Sequence, residues 1–258
     1  MMYGLLHGKV PIGGFKFDVQ IMDVEELNVA AHNAIFDVTK LSFKTYYDVS
    51  SDYELLDSGA ALGRGNGPLL ISNKPLEGRD LSTFRIAVPG MNTTATFLLQ
   101  FAYPNVVDLK PMLFSDIESA ISRGEVDAGV IIHETRFMYA SRGFDLIDDL
   151  GAVWEEKTEM PIPLGCFAIK KTLDPAVKKS MNQLIFNSIC FADENYGMVL
   201  PYIKSHAQEL EENVIRQHID MFVNEYSKGL GEFGRGSIQR LFQELNHLTK
   251  NNRLPAFI

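Results

Sequence analysis

Cysteine is scarce. The 258 residues contain two, Cys166 and Cys190, with no CxxC pair and no His/Cys set at metal-ligand spacing. That pattern excludes a disulfide framework and a zinc module, and both thiols read as reduced core side chains. Long apolar runs are also missing: none nears the roughly 20 residues a bilayer span needs. The first residues, MMYGLLHGKV, lack a basic leader followed by an apolar stretch and a small-residue cleavage site. They do not read as a secretory signal, and the expected location is the cytoplasm, with no membrane partner. Positive charge is in deficit, with 24 Lys and Arg against 33 Asp and Glu, for a net charge of −9. No basic face is available for a phosphate backbone, which argues against nucleic acid. An anionic ligand would need a local pocket of donors. No internal repeat or low-complexity segment occurs.

Apolar residues make up 46% of the chain and charged residues 22%, as in a soluble globular protein with a sizeable core. Residues 1–7 read as the tail of a helix closed by Gly8 and Lys9. The alternation in FKFDVQI predicts a strand over 15–21. Asp23 with Glu26 three residues on is a capping-box start, and FDVTKLSF (36–43) reads as a short strand. KTYYDV reads as a short helix, and residues 53–72 as two apolar pieces around a glycine-rich turn. FRIAVPG, TTATFLLQFA, VVDLKPML, SDIESAISRGE and DAGVIIHE then alternate strand and helix, which predicts a parallel sheet flanked by helices. Ser115 and Glu118 stand at capping spacing for the second of those helices.

MPIPLGCFAIKK (160–171) is a further strand. Amphipathic helices follow at about 174–191, 194–206, 211–227 and 235–249, the first opened by Asp174-Pro175. The organisation expected is α/β and two-lobed. Residues 1–81 and 172–258 form one lobe and 82–171 the other, with crossings near 76–82 and 161–169. Ligands of open parallel sheets lie at strand carboxyl ends. Three polar clusters fall at such ends: Lys40-Leu41-Ser42, Gly90 to Thr94, and His133-Glu134.

Thr93 and Thr94 stand where a strand gives way to a helix. They read either as ordinary N-caps or as donors that, with the helix N-terminus, hold an anion. Asn92 shares that turn. ALGRGNGPLL is not a phosphate loop, because strand follows it and no Gly-Lys-Ser/Thr does. Gly63, Gly65 and Gly67 read as a tight turn or as places where backbone nears a ligand. Arg64 pairs either with an internal acid or with an external one. Lys40 is either a solvated surface residue or a cleft residue. GVIIHETRF carries an apolar run that ends on His133, Glu134, Thr135 and Arg136. His133 is either a structural histidine or a lone general base whose pKa burial or Glu134 moves. No GxSxG elbow occurs. His7, His32, His206, His218 and His247 lie on helical stretches and read as solvent-facing or filling local contacts.

Taken in order, HGKV, DVTKLSF, SGAALGRGNGPLL, VPGMNTTATFLL, GEVDAGVIIHETRF, DLGAVWEEKTEMPIPLG and SHAQEL resemble the 1,4-dihydroxy-6-naphthoate synthases of the futalosine route to menaquinone. The resemblance spans almost the whole chain. It implies a periplasmic-binding-protein-like type II fold with an inter-lobe cleft. It also implies conversion of cyclic dehypoxanthine futalosine, a small anionic substrate, to 1,4-dihydroxy-6-naphthoate, with no metal or organic cofactor. By position, His133 matches the family's proton acceptor. Thr93-Thr94 and Lys40-Leu41-Ser42 match its substrate-binding segments. Arg64, Asn92, Glu134 and Arg136 are further cleft candidates. Family members open with a strand and an Asn-Asp-Thr-like loop ahead of the helix at 1–7, and these residues begin inside that helix. An unpaired sheet edge is therefore expected, which leaves room for a homo-oligomer contact. Two other functions fit the same fold. One is a non-catalytic small-anion binding protein, and the other is the chorismate dehydratase of the same pathway.

Overall fold

The computed structural model describes residues 1–75, 80–207 and 211–258. The expected crossing near 76–82 and the end of the SHAQEL motif fall partly outside the described residues. The first part of the chain runs α1 (Tyr3–Leu6), α2 (Val24–His32), β1 (Val38–Ser42), α3 (Phe43–Asp48), β2 (Tyr53–Leu55), β3 (Ala61–Gly63) and β4 (Leu69–Ser72). The middle runs β5 (Ile86–Val88), α4 (Thr94–Ala102), β6 (Leu109–Pro111), α5 (Ile117–Ser122), β7 (Ala128–Ile131), β8 (Asp145–Asp149), α6 (Leu150–Thr158) and β9 (Ile162–Lys170). Helices complete it: α7 (Pro175–Glu194), α8 (Tyr196–Lys204), α9 (Glu212–Phe222), α10 (Glu225–Lys228) and α11 (Gly231–Thr249).

Two sheets carry the fold. In the first, β9 is the spine and pairs antiparallel with β1, β2 and β3. Gly165 faces Ser42 of β1 and Ala61 of β3, so those strands take opposite edges of β9. Among the described residues β1 has no second strand neighbour. The second sheet has the order β6-β5-β7-β4-β8. Its β5, β6 and β7 are parallel, as the strand–helix alternation predicts, whereas β4 joins antiparallel to both β7 and β8.

This pairing moves the expected lobe boundaries. Leu69–Ser72 lies in the second sheet, and Ile162–Lys170 in the first. The crossings therefore fall between Gly63 and Leu69 and between Thr158 and Ile162, ahead of the expected 81/82 and 171/172 divisions. An apolar run reads the same in either sheet, so only the pairing partner decides membership. The strand expected at 15–21 does not form: the segment has no regular structure and is largely exposed. Its alternation suits a strand, but no neighbour among the described residues bonds to it. Ser115 and Glu118 do not cap α5. Ser115 donates to Asp116, and Glu118 pairs with Arg142.

Other local signals hold. The Asp23 side chain accepts from Glu25 N at 2.8 Å, and Glu26 closes the capping box on Asp23 N at 3.1 Å. Asp174 caps α7 with Pro175 at its first position. The core runs continuously between the two sheets, through Tyr46, Tyr53, Leu70, Val88, Leu98, Trp154 and Phe242. Each such side chain, fully buried, contributes about 2–3 kcal/mol of apolar transfer free energy. Their polar ends are satisfied: Trp154 Nε1 donates to Pro161 O at 3.1 Å, and Tyr46 Oη donates to Ala256 O at 2.7 Å. Cys166 is buried as expected, while Cys190 is half-buried on α7.

Candidate functional site

A cavity of about 550 Å³ opens between the two sheets. It meets β1 at Lys40 to Ser42, the 66–68 loop, the first turn of α4, the end of β7 at His133, and α9 at His218. The three polar clusters named from sequence thus converge. Strand carboxyl ends place two of them, and Gly165 in β9 leaves its backbone against Leu41, because a Cβ there would stand 3.0 Å from Leu41 O.

The threonine pair is present, but both hydroxyls have internal work. Thr93 Oγ1 donates to Gly90 O at 2.9 Å and accepts from Thr96 N at 3.2 Å, so it caps α4. Thr94 Oγ1 donates to Leu164 O at 2.9 Å and accepts from Lys44 N at 3.2 Å, which ties α4 to the first sheet. Each hydroxyl has one proton to give, so neither has a spare donor here. The backbone N–H groups of Thr94 and Ala95 have no partner among the described residues. The donors this turn offers to an anion are therefore main-chain N–H groups and the helix dipole.

Four further candidates divide. Arg64 points away from the cavity. It reaches Glu159 O at 2.6 Å and pairs loosely with Glu155 at 3.4 Å, the internal acid of the two alternatives. Asn92 does not line the cavity either. Its Nδ2 donates to Glu25 at 2.8 Å and its carbonyl accepts from Thr45 Oγ1 at 2.7 Å, which latches the 90–94 turn to α2 and α3. Arg136 donates to Gly67 O and sits 3.4 Å from Asp149, bracing the crossing loop. Only Glu134 adjoins His133 and His218. Its carboxylate and the imidazoles of His133 and His218 offer atoms that all lie within 4.8 Å of one another. That spacing would also suit a divalent cation. Linear spacing, on which no metal set was found, gave no hint of it, because the second histidine lies 85 residues away in the chain.

His133 begins a 3₁₀ turn directly after β7 and holds φ +60°. That left-handed conformation is uncommon outside glycine, though histidine is among the residues that adopt it. The ring packs edge-on to Phe114 at 5.0 Å and to His218 at 6.0 Å. His218, expected to face solvent or fill a local contact, stands instead on the cavity wall, with its ring tilted against Phe222 at 4.8 Å. Burial lowers the pKa of His133; Glu134 pulls it upward and Lys40 pushes it down further. Burial and then the neighbouring His133 take His218 down to about 4. Both rings are neutral near pH 7. Lys40, beneath the same cavity, is enclosed enough that burial lowers its pKa. Its Nζ lies 5.2 Å over the Phe167 ring and 3.5 Å from Met1 Sδ, and it makes no ion pair among the described residues.

The depressed histidine pKa values set a stability slope. Below about pH 6.5 the unfolded chain binds protons that the folded chain refuses until His218 titrates near 4. Stability therefore falls as pH drops through that window. At pH 5 the His218 contribution is on the order of 2 kcal/mol. Melting temperatures at pH 7.5 and pH 5 check this: the drop on acidification should be smaller for His218→Phe than for the parent chain. An equal drop would mean that His218 titrates normally.

A cleft between two mixed α/β sheets, with donors at a helix N-terminus, defines the class of periplasmic-binding-protein-like folds. The alkanesulfonate-binding protein of Xanthomonas axonopodis pv. citri shares it, with TM-score 0.63 at 13% identity over 90% of this chain and 81% of its own. The chain belongs to the menaquinone biosynthesis family, whose model matches residues 1–247. It is 38% identical over 244 residues to the 1,4-dihydroxy-6-naphthoate synthase of Thermus thermophilus, covering 95% of this chain and 88% of that one. A crystal structure of an Archaeoglobus fulgidus protein superimposes with TM-score 0.89 at 32% identity, over 96% of this chain and 92% of its own. Among the described residues no helix is long and apolar enough to cross a membrane.

Proposed function

We propose that this chain is a 1,4-dihydroxy-6-naphthoate synthase, a carbon–carbon lyase acting on cyclic dehypoxanthine futalosine, with His133 as general base. The observation that carries the reading is a neutral imidazole on the wall of a cavity of about 550 Å³, across from a helix N-terminus with free N–H groups. The neutral ring takes a proton from a substrate hydroxyl. The electron pair left on oxygen forms a carbonyl as the adjacent C–C bond breaks. The electrons of that bond pass into the ring system, which becomes aromatic, and the sugar-derived fragment leaves. An isolated imidazole is too weak a base for a hydroxyl, so donors must stabilise the charge as it develops. Thr94 N–H, Ala95 N–H and the Lys40 amine supply donors. They hold either the developing oxyanion or the substrate carboxylate. His218 and Glu134 flank the base, and the Glu134 carboxylate, which pulls the His133 pKa upward, stabilises the imidazolium as it forms.

The test is incubation of the protein with cyclic dehypoxanthine futalosine and, separately, with chorismate, with products followed by mass spectrometry. Naphthoate from the first and nothing from the second is expected. Turnover of chorismate alone would replace the reading with a dehydratase. Binding of the futalosine derivative without product would replace it with a binding protein.

A further inference from the structure

Asn66 lies in the loop between β3 and β4, where the chain crosses from one sheet to the other. It is 1% exposed and lines the same cavity as His133. Neither its Oδ1 nor its Nδ2 has a hydrogen-bond partner among the described residues. Buried side-chain amides are nearly always paired, because an unmet polar group in a closed site is costly. The slot is kept open by Gly63: a Cβ there would stand 2.8 Å from Asn66 Nδ2. The neighbouring Asn224 is engaged elsewhere: its Nδ2 donates to Leu62 O at 2.9 Å and to Met221 O at 3.4 Å, and its Oδ1 accepts from Tyr226 N at 3.0 Å.

An amide presents one acceptor and a pair of donors. A carboxylate could take the donors but would leave Oδ1 unmet. An ammonium could meet Oδ1 but not Nδ2. A hydroxyl, or two adjacent hydroxyls, meets both. The Lys40 amine on β1 and the helix N–H groups of α4 lie elsewhere in this cavity, so the carboxylate end of a guest has its own anchor. We propose that Asn66 recognises the neutral, hydroxyl-bearing, sugar-derived portion of the substrate, and so fixes which end of the guest lies over His133. This rests on the lyase reading above and adds the residue that orients the substrate within it.

Asn66→Leu removes both polar atoms at similar size, with Asn66→Ala as a second variant should the larger side chain disturb folding. Neither replacement meets backbone strain, because residue 66 is not among the positive-φ positions. Three readouts decide. The melting temperature of the ligand-free variant should equal or exceed the parent's, because unmet polar groups have been removed. The variant's kcat/KM for cyclic dehypoxanthine futalosine should fall about 10- to 100-fold, chiefly through KM, the loss of roughly two neutral hydrogen bonds. Affinity for 1,4-dihydroxy-6-naphthoate, which lacks the sugar-derived part, should stay within about twofold. A clear drop in melting temperature in both variants would make Asn66 a structural residue satisfied by water and overturn the proposal. So would an unchanged KM, or an equal loss of affinity for the naphthoate. A parent protein that turns over no futalosine derivative would overturn the lyase reading instead, and the melting comparison would still decide whether residue 66 is built for a guest.

Discussion

His133→Asn is expected to lower kcat by about 10²- to 10⁴-fold, the usual worth of a positioned proton acceptor, with KM little changed. Asparagine is the informative replacement because of the backbone. Residue 133 holds φ +60°, and asparagine adopts that region more readily than most residues do. Alanine would combine loss of the base with strain in the turn that presents it, and the two effects could not be separated. The asparagine variant should keep the parent's far-ultraviolet circular dichroism and melt at or slightly above the parent temperature near pH 7. Steady-state kinetics with cyclic dehypoxanthine futalosine give the answer. Retention of more than about a tenth of kcat would remove His133 from proton transfer and leave it a wall residue. A kcat/KM profile should agree: its acid limb belongs below the ordinary histidine range, because burial holds the imidazole neutral.

Local chemistry was the part of this molecule most open to reading from sequence. The capping box at Asp23 and Glu26, the cap at Thr93 and the Asp174-Pro175 helix start each depend on residues a few positions apart, and the parallel β5–β7 unit is announced by its strand–helix alternation. What depends on distant pairing was not open in the same way. LLIS at 69–72 reads equally well as a strand of either sheet, and its antiparallel pairing with β7 and β8 assigns it. FKFDVQI has the period of a strand and no strand partner among the described residues. The candidate site shows the same division. Lys40, Ser42, Thr94 and His133 could be named because strand ends and helix starts mark them. Arg64, Asn92 and Arg136 could not be told from site residues, since a structural tie and a ligand contact use the same side chains. His218 was missed, although a signal existed. It stands three residues after Ile215 and four before Phe222, a polar residue set into the apolar stripe of α9. Asn66 was hidden by its glycines, which read as a turn whatever else the loop does.

Those glycines separate by cause, and this makes Gly67→Ala a severely damaging small change. Gly65 holds φ +64° in open space, so alanine there costs only the backbone penalty, about 1 kcal/mol. At Gly67 the conformation is ordinary and the obstacle is space. A Cβ would lie 2.3 Å from Gly151 Cα and 2.6 Å from Gly151 N. Both are main-chain atoms in the first turn of α6, and that turn cannot give way, because Asp149 caps it through Gly151 N at 2.9 Å and Ala152 N at 3.1 Å. The loop cannot retreat freely either, since Arg136 holds Gly67 O and also faces Asp149. The strain must separate the crossing loop from α6, at about 2–3 kcal/mol or more. For a chain of this size that is roughly 4–12 °C in melting temperature. The same displacement would carry Asn66 away from the cavity, so KM should rise in the variant as stability falls. Gly65→Ala, two residues away, should lose about a third as much stability and leave KM alone. Equal effects at the two positions would mean that the loop yields as a whole, and that contact with α6 does not hold the crossing in place.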